Sequence, residues 1–260
     1  MRKLIWILAT VALMLAGSAG SSTADDGFKS VDFPTAGGIQ GRADVYATKN
    51  KSATLVLLFH QAGWSRGEYR EIAPKLVKAG YRVMAVDLRS GGKINGVQNE
   101  THRRAMTMGL ARSYLDAYVD METALAYARK ELKAQRIIVW GSSYSASLVF
   151  RLAAEQPDEV TAVMAFAPGE YFKKEGSEYI QGFAKRVKQP VFVTSAKEER
   201  ERVRPIFDAS PAEKKILFTP ASKGQHGSRA LWNKWSDSDV YWAAVNGFLE
   251  RYVPAVAPAP

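Results

Sequence analysis

Gly141-Ser142-Ser143-Tyr144-Ser145 follows the unbroken apolar run Ile137-Ile138-Val139-Trp140 and precedes the small, apolar stretch Ala146 to Ala154. The run suits a strand buried on both faces of a parallel sheet, and the stretch after it suits a buried helix. Strand, tight turn and helix in that order is the setting in which a G-x-S-x-G pattern lifts its middle serine clear of the sheet. The flanking residues must be small because the turn packs backbone against backbone. Here Ser145 stands in place of the last glycine. The spacing nominates Ser143 as a nucleophile.

A serine hydroxyl is a weak nucleophile and needs an adjacent base. The chain has three histidines: His60, His102 and His226. Around this motif the chain order is serine, acid, histidine. His226 is the only histidine after Ser143, in the glycine-flanked stretch Lys223-Gly224-Gln225-His226-Gly227-Ser228. The base in turn needs a carboxylate to hold its tautomer. Glu198 and Glu199 both follow the apolar run that ends at Thr194, whereas Asp208 lies too far along a helix. A developing oxyanion needs two backbone donors. Tyr144, the residue after the nucleophile, supplies one. The other is expected from Ala62 or its neighbour Gln61, in the loop after the run Ala53 to Phe59. His60 is expected to order that loop. A metal role for it is not expected, because no cysteine and no second histidine lie at ligand spacing. Trp64, Tyr171 and Phe172 are candidates to line a substrate pocket, with ordinary packing as the competing explanation. No cofactor is required.

These residues need a scaffold, and the pattern predicts one. Phe28 to Phe33 and Ile39 to Tyr46 read as two strands joined through Gly37-Gly38. Further strands are expected at Ala53 to Phe59, Tyr81 to Leu88, Val160 to Phe166, Pro190 to Thr194 and Lys215 to Thr219. Helical spacing marks Tyr69 to Lys78, Tyr114 to Leu132, Arg200 to Phe207 and Ser238 to Tyr252. Arg89 to Gly109 reads as a long polar connection, and Glu170 to Lys188 as a small cap over a cleft. Strands alternating with helices from residue 53 onward predict an α/β, doubly wound, mainly parallel sheet with an N-terminal antiparallel hairpin. Ligands of such sheets bind at the carboxyl ends of the strands, where the nominated loops should gather.

The chain has 260 residues, 47% of them hydrophobic, and no cysteine. That length carries one sizeable core. The absence of cysteine excludes disulfides and a thioether-linked lipid. Arg2 and Lys3, the 13-residue apolar run Leu4 to Ala16 and the small residues after it predict a signal peptide over 1–24. The run is short for a span, so no stable membrane insertion is expected once it is cleaved. The α/β domain is predicted over 25–253 and a disordered tail over 254–260. The mature chain would be periplasmic or secreted, with a net charge of +8 against +10 for the whole chain. No basic run is interleaved with aromatics, so no nucleic-acid partner is expected.

The sequence resembles the α/β-hydrolase superfamily, and within it the dienelactone-hydrolase-like and serine esterase branch. The resemblance spans roughly Ala53 to Tyr252. It rests on His60-Gln61-Ala62-Gly63, the Ser143 turn, the acidic pair after Ala196-Lys197, and Gln225-His226-Gly227. It implies an α/β-hydrolase fold and cleavage of a small-molecule carboxylic ester, lactone or thioester through an acyl-enzyme. Within that fold the acid usually falls nine residues past the proline that opens its strand, here Pro190. That position favours Glu199 over Glu198. Dienelactone hydrolases use cysteine as nucleophile, so Ser143 points to a general esterase. The alternatives are an acyltransferase on the same residues, or a non-catalytic exported binding protein on a hydrolase scaffold.

Overall fold

A computed structural model describes residues 27–256. The predicted signal peptide and residues 257–260 of the predicted tail lie outside the described residues.

The chain opens with the hairpin β1 (Lys29–Pro34) and β2 (Gln40–Tyr46), antiparallel, with Gly37 and Gly38 at positive φ in the turn. There follow β3 (Leu55–Phe59), α1 (Ile72–Lys78) and β4 (Arg82–Val86). The short strands β5 (Lys93–Ile94) and β6 (Val97–Gln98) come next, then α2 (Glu100–Thr107) and α3 (Tyr118–Lys130). The central unit is β7 (Ile137–Ser142) and α4 (Tyr144–Glu155). The chain closes with β8 (Ala162–Phe166), α5 (Tyr179–Ala184), β9 (Val191–Thr194), α6 (Arg200–Ala209), β10 (Lys215–Phe218) and α7 (Ser238–Tyr252).

The main sheet has the order β1-β2-β4-β3-β7-β8-β9-β10. β2 runs antiparallel to β4, and β4, β3, β7, β8, β9 and β10 are mutually parallel. This is the expected doubly wound sheet with an antiparallel hairpin at one edge. The chain passes from β3 to β4 on one side and returns to β7 on the other. The strand order therefore reverses between β3 and β7, where a crevice opens at the carboxyl ends. Phe59 of β3 pairs with Gly141 of β7, so the loops that follow them are neighbours.

Two-residue periodicity divides the core between the sheet's faces. Leu55, Leu57, Ile137 and Val139 pack with Met121, Leu125, Leu148 and Ile206 on one face. Val56, Leu58, Ile138 and Trp140 pack with Leu76, Val245, Phe248 and Leu249 on the other. All four residues Ile137 to Trp140 are fully buried, as expected for a strand covered on both sides.

Several boundaries differ from expectation. The predicted polar connection over 89–109 holds the β5–β6 hairpin and α2. Its tip, Asn95-Gly96, has both residues at positive φ, which is the signal for a two-residue hairpin. Asn99 then caps α2 by accepting the His102 N–H at 2.8 Å. The helix predicted from Tyr114 begins at Tyr118. The helix predicted from Ala146 begins at Tyr144, immediately after the turn. The tail predicted from residue 254 is tied down at its start. The Pro254 carbonyl accepts from Thr54 Oγ1 and Arg136 Nη1, and the Ala255 carbonyl accepts the Thr54 N–H.

Candidate active site

Ser143 occupies the turn between β7 and α4 with φ 60° and ψ −120°. A non-glycine residue there is strained by about 1–3 kcal/mol and persists only where its surroundings hold it. The Ser143 N–H donates to the Phe166 carbonyl at 2.8 Å. The Ser142 N–H donates to Ser145 Oγ at 2.8 Å. Ser145 Oγ also lies 2.8 Å from the Phe59 carbonyl. The serine in place of the motif's last glycine thus stitches the turn to β3. Gly141 admits no side chain, since a Cβ there would collide with the Ser145 carbonyl oxygen.

From this turn a hydrogen-bond chain runs outward. Ser143 Oγ is 2.8 Å from His226 Nε2, and His226 Nδ1 is 2.6 Å from Glu199 Oε1. The three residues come from the ends of β7, β9 and β10, so one rim of the sheet brings them together. Burial works to raise the Glu199 pKa. The hydrogen bond and charge of His226, the Ala196 N–H and Arg202 outweigh it and hold the carboxyl below its ordinary value. Glu199 is buried, with Oε2 accepting from the Ala196 N–H at 3.2 Å and Oε1 lying 3.3 Å from Arg202 Nη2. Glu198, the other expected acid, is exposed and does not face the imidazole. The 3-10 turn Lys197–Glu199 points consecutive side chains in different directions and selects between them.

The two expected backbone donors divide cleanly. Tyr144 is the first residue of α4, where an N–H has no acceptor within the helix. Ala62 lies in the loop after β3, and its N–H makes no hydrogen bond among the described residues. The Gln61 N–H, the alternative donor, is taken by Glu68 Oε2 at 2.8 Å and is not available. His60 orders this loop as expected. Its Nδ1 lies 2.8 Å from the Gln61 carbonyl, and its Nε2 accepts the Leu88 N–H at 2.9 Å. Burial lowers its pKa to about 4, which keeps the ring neutral near pH 7.

The three aromatic candidates part company. Tyr171 and Phe172 line a cavity of about 440 Å³, together with Tyr114 and Leu115. The Tyr171 hydroxyl donates to the Ala167 carbonyl at 2.9 Å. Tyr114 stacks at 4.5 Å on Tyr144, next to the serine. The cavity therefore adjoins the turn. Trp64 is not part of it. It stacks on Trp232 at 5.3 Å and packs with the core of the opposite face. The expected cap contains α5, whose first turn is held by Glu170. Its carboxylate accepts from the Ile180 and Gln181 N–H groups at 2.8 and 2.9 Å. Among the described residues no group of three or more histidine, aspartate or glutamate side chains is placed to hold a metal ion.

Sequence reasoning missed Glu68. It is fully buried, and Ser142 Oγ donates to its Oε1 at 2.7 Å. Ser142 Oγ in turn accepts the Ser228 N–H at 2.9 Å. No local pattern marked Glu68, because its partners are 74 and 7 residues away.

Residues 50–231 match the family described as serine aminopeptidase, S33. Among solved structures, the esterase Pf2001 of Pyrococcus furiosus superposes with a TM-score of 0.67 at 19% identity, covering 86% of this chain and 92% of that one. A dienelactone hydrolase from Anabaena variabilis gives 0.66 at 14% identity, over 86% and 97%. The acylaminoacyl peptidase of Pyrococcus horikoshii gives 0.63 at 16% identity, over 90% and 43%. The family match covers more than half of the chain, so the chain belongs to the serine aminopeptidase S33 family of α/β-hydrolases and is a hydrolase.

Proposed function

We propose that the chain is a serine esterase that cleaves small carboxylic esters through an acyl-enzyme. The observation that carries this reading is the unbroken hydrogen-bond chain from Ser143 through His226 to Glu199. In this mechanism His226 Nε2 accepts the Ser143 proton as Oγ attacks the acyl carbonyl. Glu199 keeps the Nδ1 proton in place and stabilises the imidazolium that forms. The Ala62 and Tyr144 amides receive the oxyanion. His226 then protonates the leaving alcohol, and water repeats the sequence to release the acid. The cavity beside Tyr171 and Phe172 would hold the acyl body of the substrate. The signal peptide expected over residues 1–24 would put the reaction outside the cytoplasm, in the periplasm or the medium. The esterase and dienelactone hydrolase among the similar structures fit an ester substrate.

A fluorophosphonate probe and a panel of p-nitrophenyl esters test this. Labelling and turnover are expected in the wild type and absent in Ser143→Ala. Folded wild-type protein that neither labels nor cleaves any ester refutes the reading. Faster cleavage of aminoacyl p-nitroanilides than of esters would move the substrate to amides.

A further inference from the structure

Glu68 takes no part in the steps above, yet it lies beneath all of them. Burying a carboxylate is unfavourable unless every oxygen is matched, and a well-packed apolar residue would serve stability at least as well. The position of its partners is therefore informative. Ser142, which donates to Oε1, adjoins Ser143. Gln61, whose N–H donates to Oε2, adjoins Ala62. Ser228, which donates to Ser142 Oγ, lies two residues after His226. The Glu68 carbonyl is also engaged, accepting from Trp232 Nε1 at 2.9 Å. One carboxylate thus reaches the turn of the serine, the loop of the expected oxyanion donor and the loop of the histidine. Gly227 fits closely over this assembly. A Cβ there would lie 2.5 Å from Ser142 Oγ and 2.8 Å from Gln61 Oε1.

We propose that Glu68 is a positioning residue whose ionised carboxylate holds the serine turn, the Ala62 loop and the His226 loop in mutual register. The proposal rests on the esterase reading. The geometry needs the ionised form. Oε2 already accepts an N–H, and Oε1 accepts the Ser142 hydroxyl, whose oxygen accepts the Ser228 N–H. A proton on Oε2 would meet the Gln61 N–H, and a proton on Oε1 would turn the Ser142 hydroxyl from donor to acceptor and leave its hydrogen without the carboxylate. The groups that face Glu68 are Arg229 on the histidine loop and the buried phenols of Tyr69 and Tyr144. Neutral His60 lies in the Ala62 loop beside Gln61. Burial raises the Glu68 pKa to about 7 against the lowering effect of Ser142, the Gln61 amide and Arg229. Protonation in mild acid would relieve the cost of the buried charge but release the hydrogen-bond register that the carboxylate imposes on the three loops.

The test compares wild type, Glu68→Gln and Ser142→Ala on a p-nitrophenyl ester across pH 5 to 9, with thermal melts on each. Both variants are expected to lose about ten- to a hundred-fold in kcat, with KM within about two-fold, since misplacement by an ångström has that effect. The acid limb of log kcat against pH should exceed a slope of one in the wild type, where Glu68 and the imidazole must both be unprotonated. In Glu68→Gln it should return to one. Either variant with wild-type kcat, or equal slopes in wild type and Glu68→Gln, overturns the proposal. If Glu68→Gln does not fold, the kcat of Ser142→Ala decides. Wild-type protein with no esterase activity would instead remove the reading beneath it.

Discussion

Replacing Glu199 by glutamine keeps the shape of the side chain and removes a charge 2.6 Å from His226 Nδ1. Glu199 uses two acceptors, Oε1 toward His226 and Oε2 toward the Ala196 N–H. Glutamine has only one. If its oxygen stays with Ala196, its amide NH₂ faces Nδ1, and the ring must carry its proton on Nε2, where it can no longer take the serine proton. If the oxygen stays with Nδ1, the NH₂ faces the Ala196 N–H and the turn is disturbed. In either case the imidazolium loses its counter-charge. At roughly 4 Å between charge centres and an effective dielectric near 20, that attraction is about 4 kcal/mol. Both side chains are less than a third exposed, at 9% and 29%, so screening removes only part of it. The equivalent change in a serine protease triad lowers kcat by about 10⁴-fold. An effect of about 10³- to 10⁴-fold, or about 4–5 kcal/mol, is expected here. The assay is kcat on p-nitrophenyl butyrate at pH 8, with far-UV circular dichroism to confirm the fold. Glu198→Gln, altering an exposed side chain, should stay within about two-fold of wild type, as surface changes do. A folded Glu199→Gln enzyme within ten-fold of wild type, or a Glu198→Gln enzyme equally impaired, would refute the reasoning.

Gly227→Ala forces a side chain onto φ 72°, ψ −169° and into contact with Ser142 Oγ. It is expected to lower stability by about 1–3 kcal/mol and kcat at least ten-fold, read by thermal melt and ester turnover; an unchanged melt would count against it. Leu115→Trp should narrow the cavity beside Tyr171. KM should rise for an octanoyl ester and stay unchanged for an acetyl ester, whereas equal effects on both would place the acyl group elsewhere. Stability should also follow the Glu68 proton. Its pKa is raised from 4.5 to about 7 by burial, so stability that is full below about pH 4.5 is lost as pH rises through 7, by about 3 kcal/mol. Asp87, raised by burial to about 6, has the same sign. His60, lowered by burial to about 4, has the opposite one. Between pH 4.5 and 8 the stability of wild type relative to Glu68→Gln should therefore fall, as measured by urea melts; a constant difference would show that Glu68 does not titrate in that range.

The sequence by itself determined the sheet and the turn. Ile137 to Trp140 could only be a strand covered on both faces, because no polar residue interrupts it. The glycine and small residues after it could only serve a tight turn. The order of His226 after the acid pair was equally legible, since each stands in a loop after an apolar run. Local chemistry decides such features, and local chemistry is what a sequence displays. The hairpin at Asn95-Gly96 was not read, because its two-residue strands are too short to show alternation.

Tertiary structure alone decided which acid faces the imidazole, which amide of the Ala62 loop is free, and where the aromatics go. Glu198 and Glu199 are chemically alike; a single 3-10 turn buries one and exposes the other. Gln61 and Ala62 have the same backbone donor, and Glu68 occupies the first. Trp64 packs on Trp232 because they lie on one face of the sheet, a fact that their 168-residue separation conceals. Contacts between distant segments depend on which strand ends meet at the reversal between β3 and β7. That meeting is a property of the folded sheet, and no stretch of the chain carries it alone.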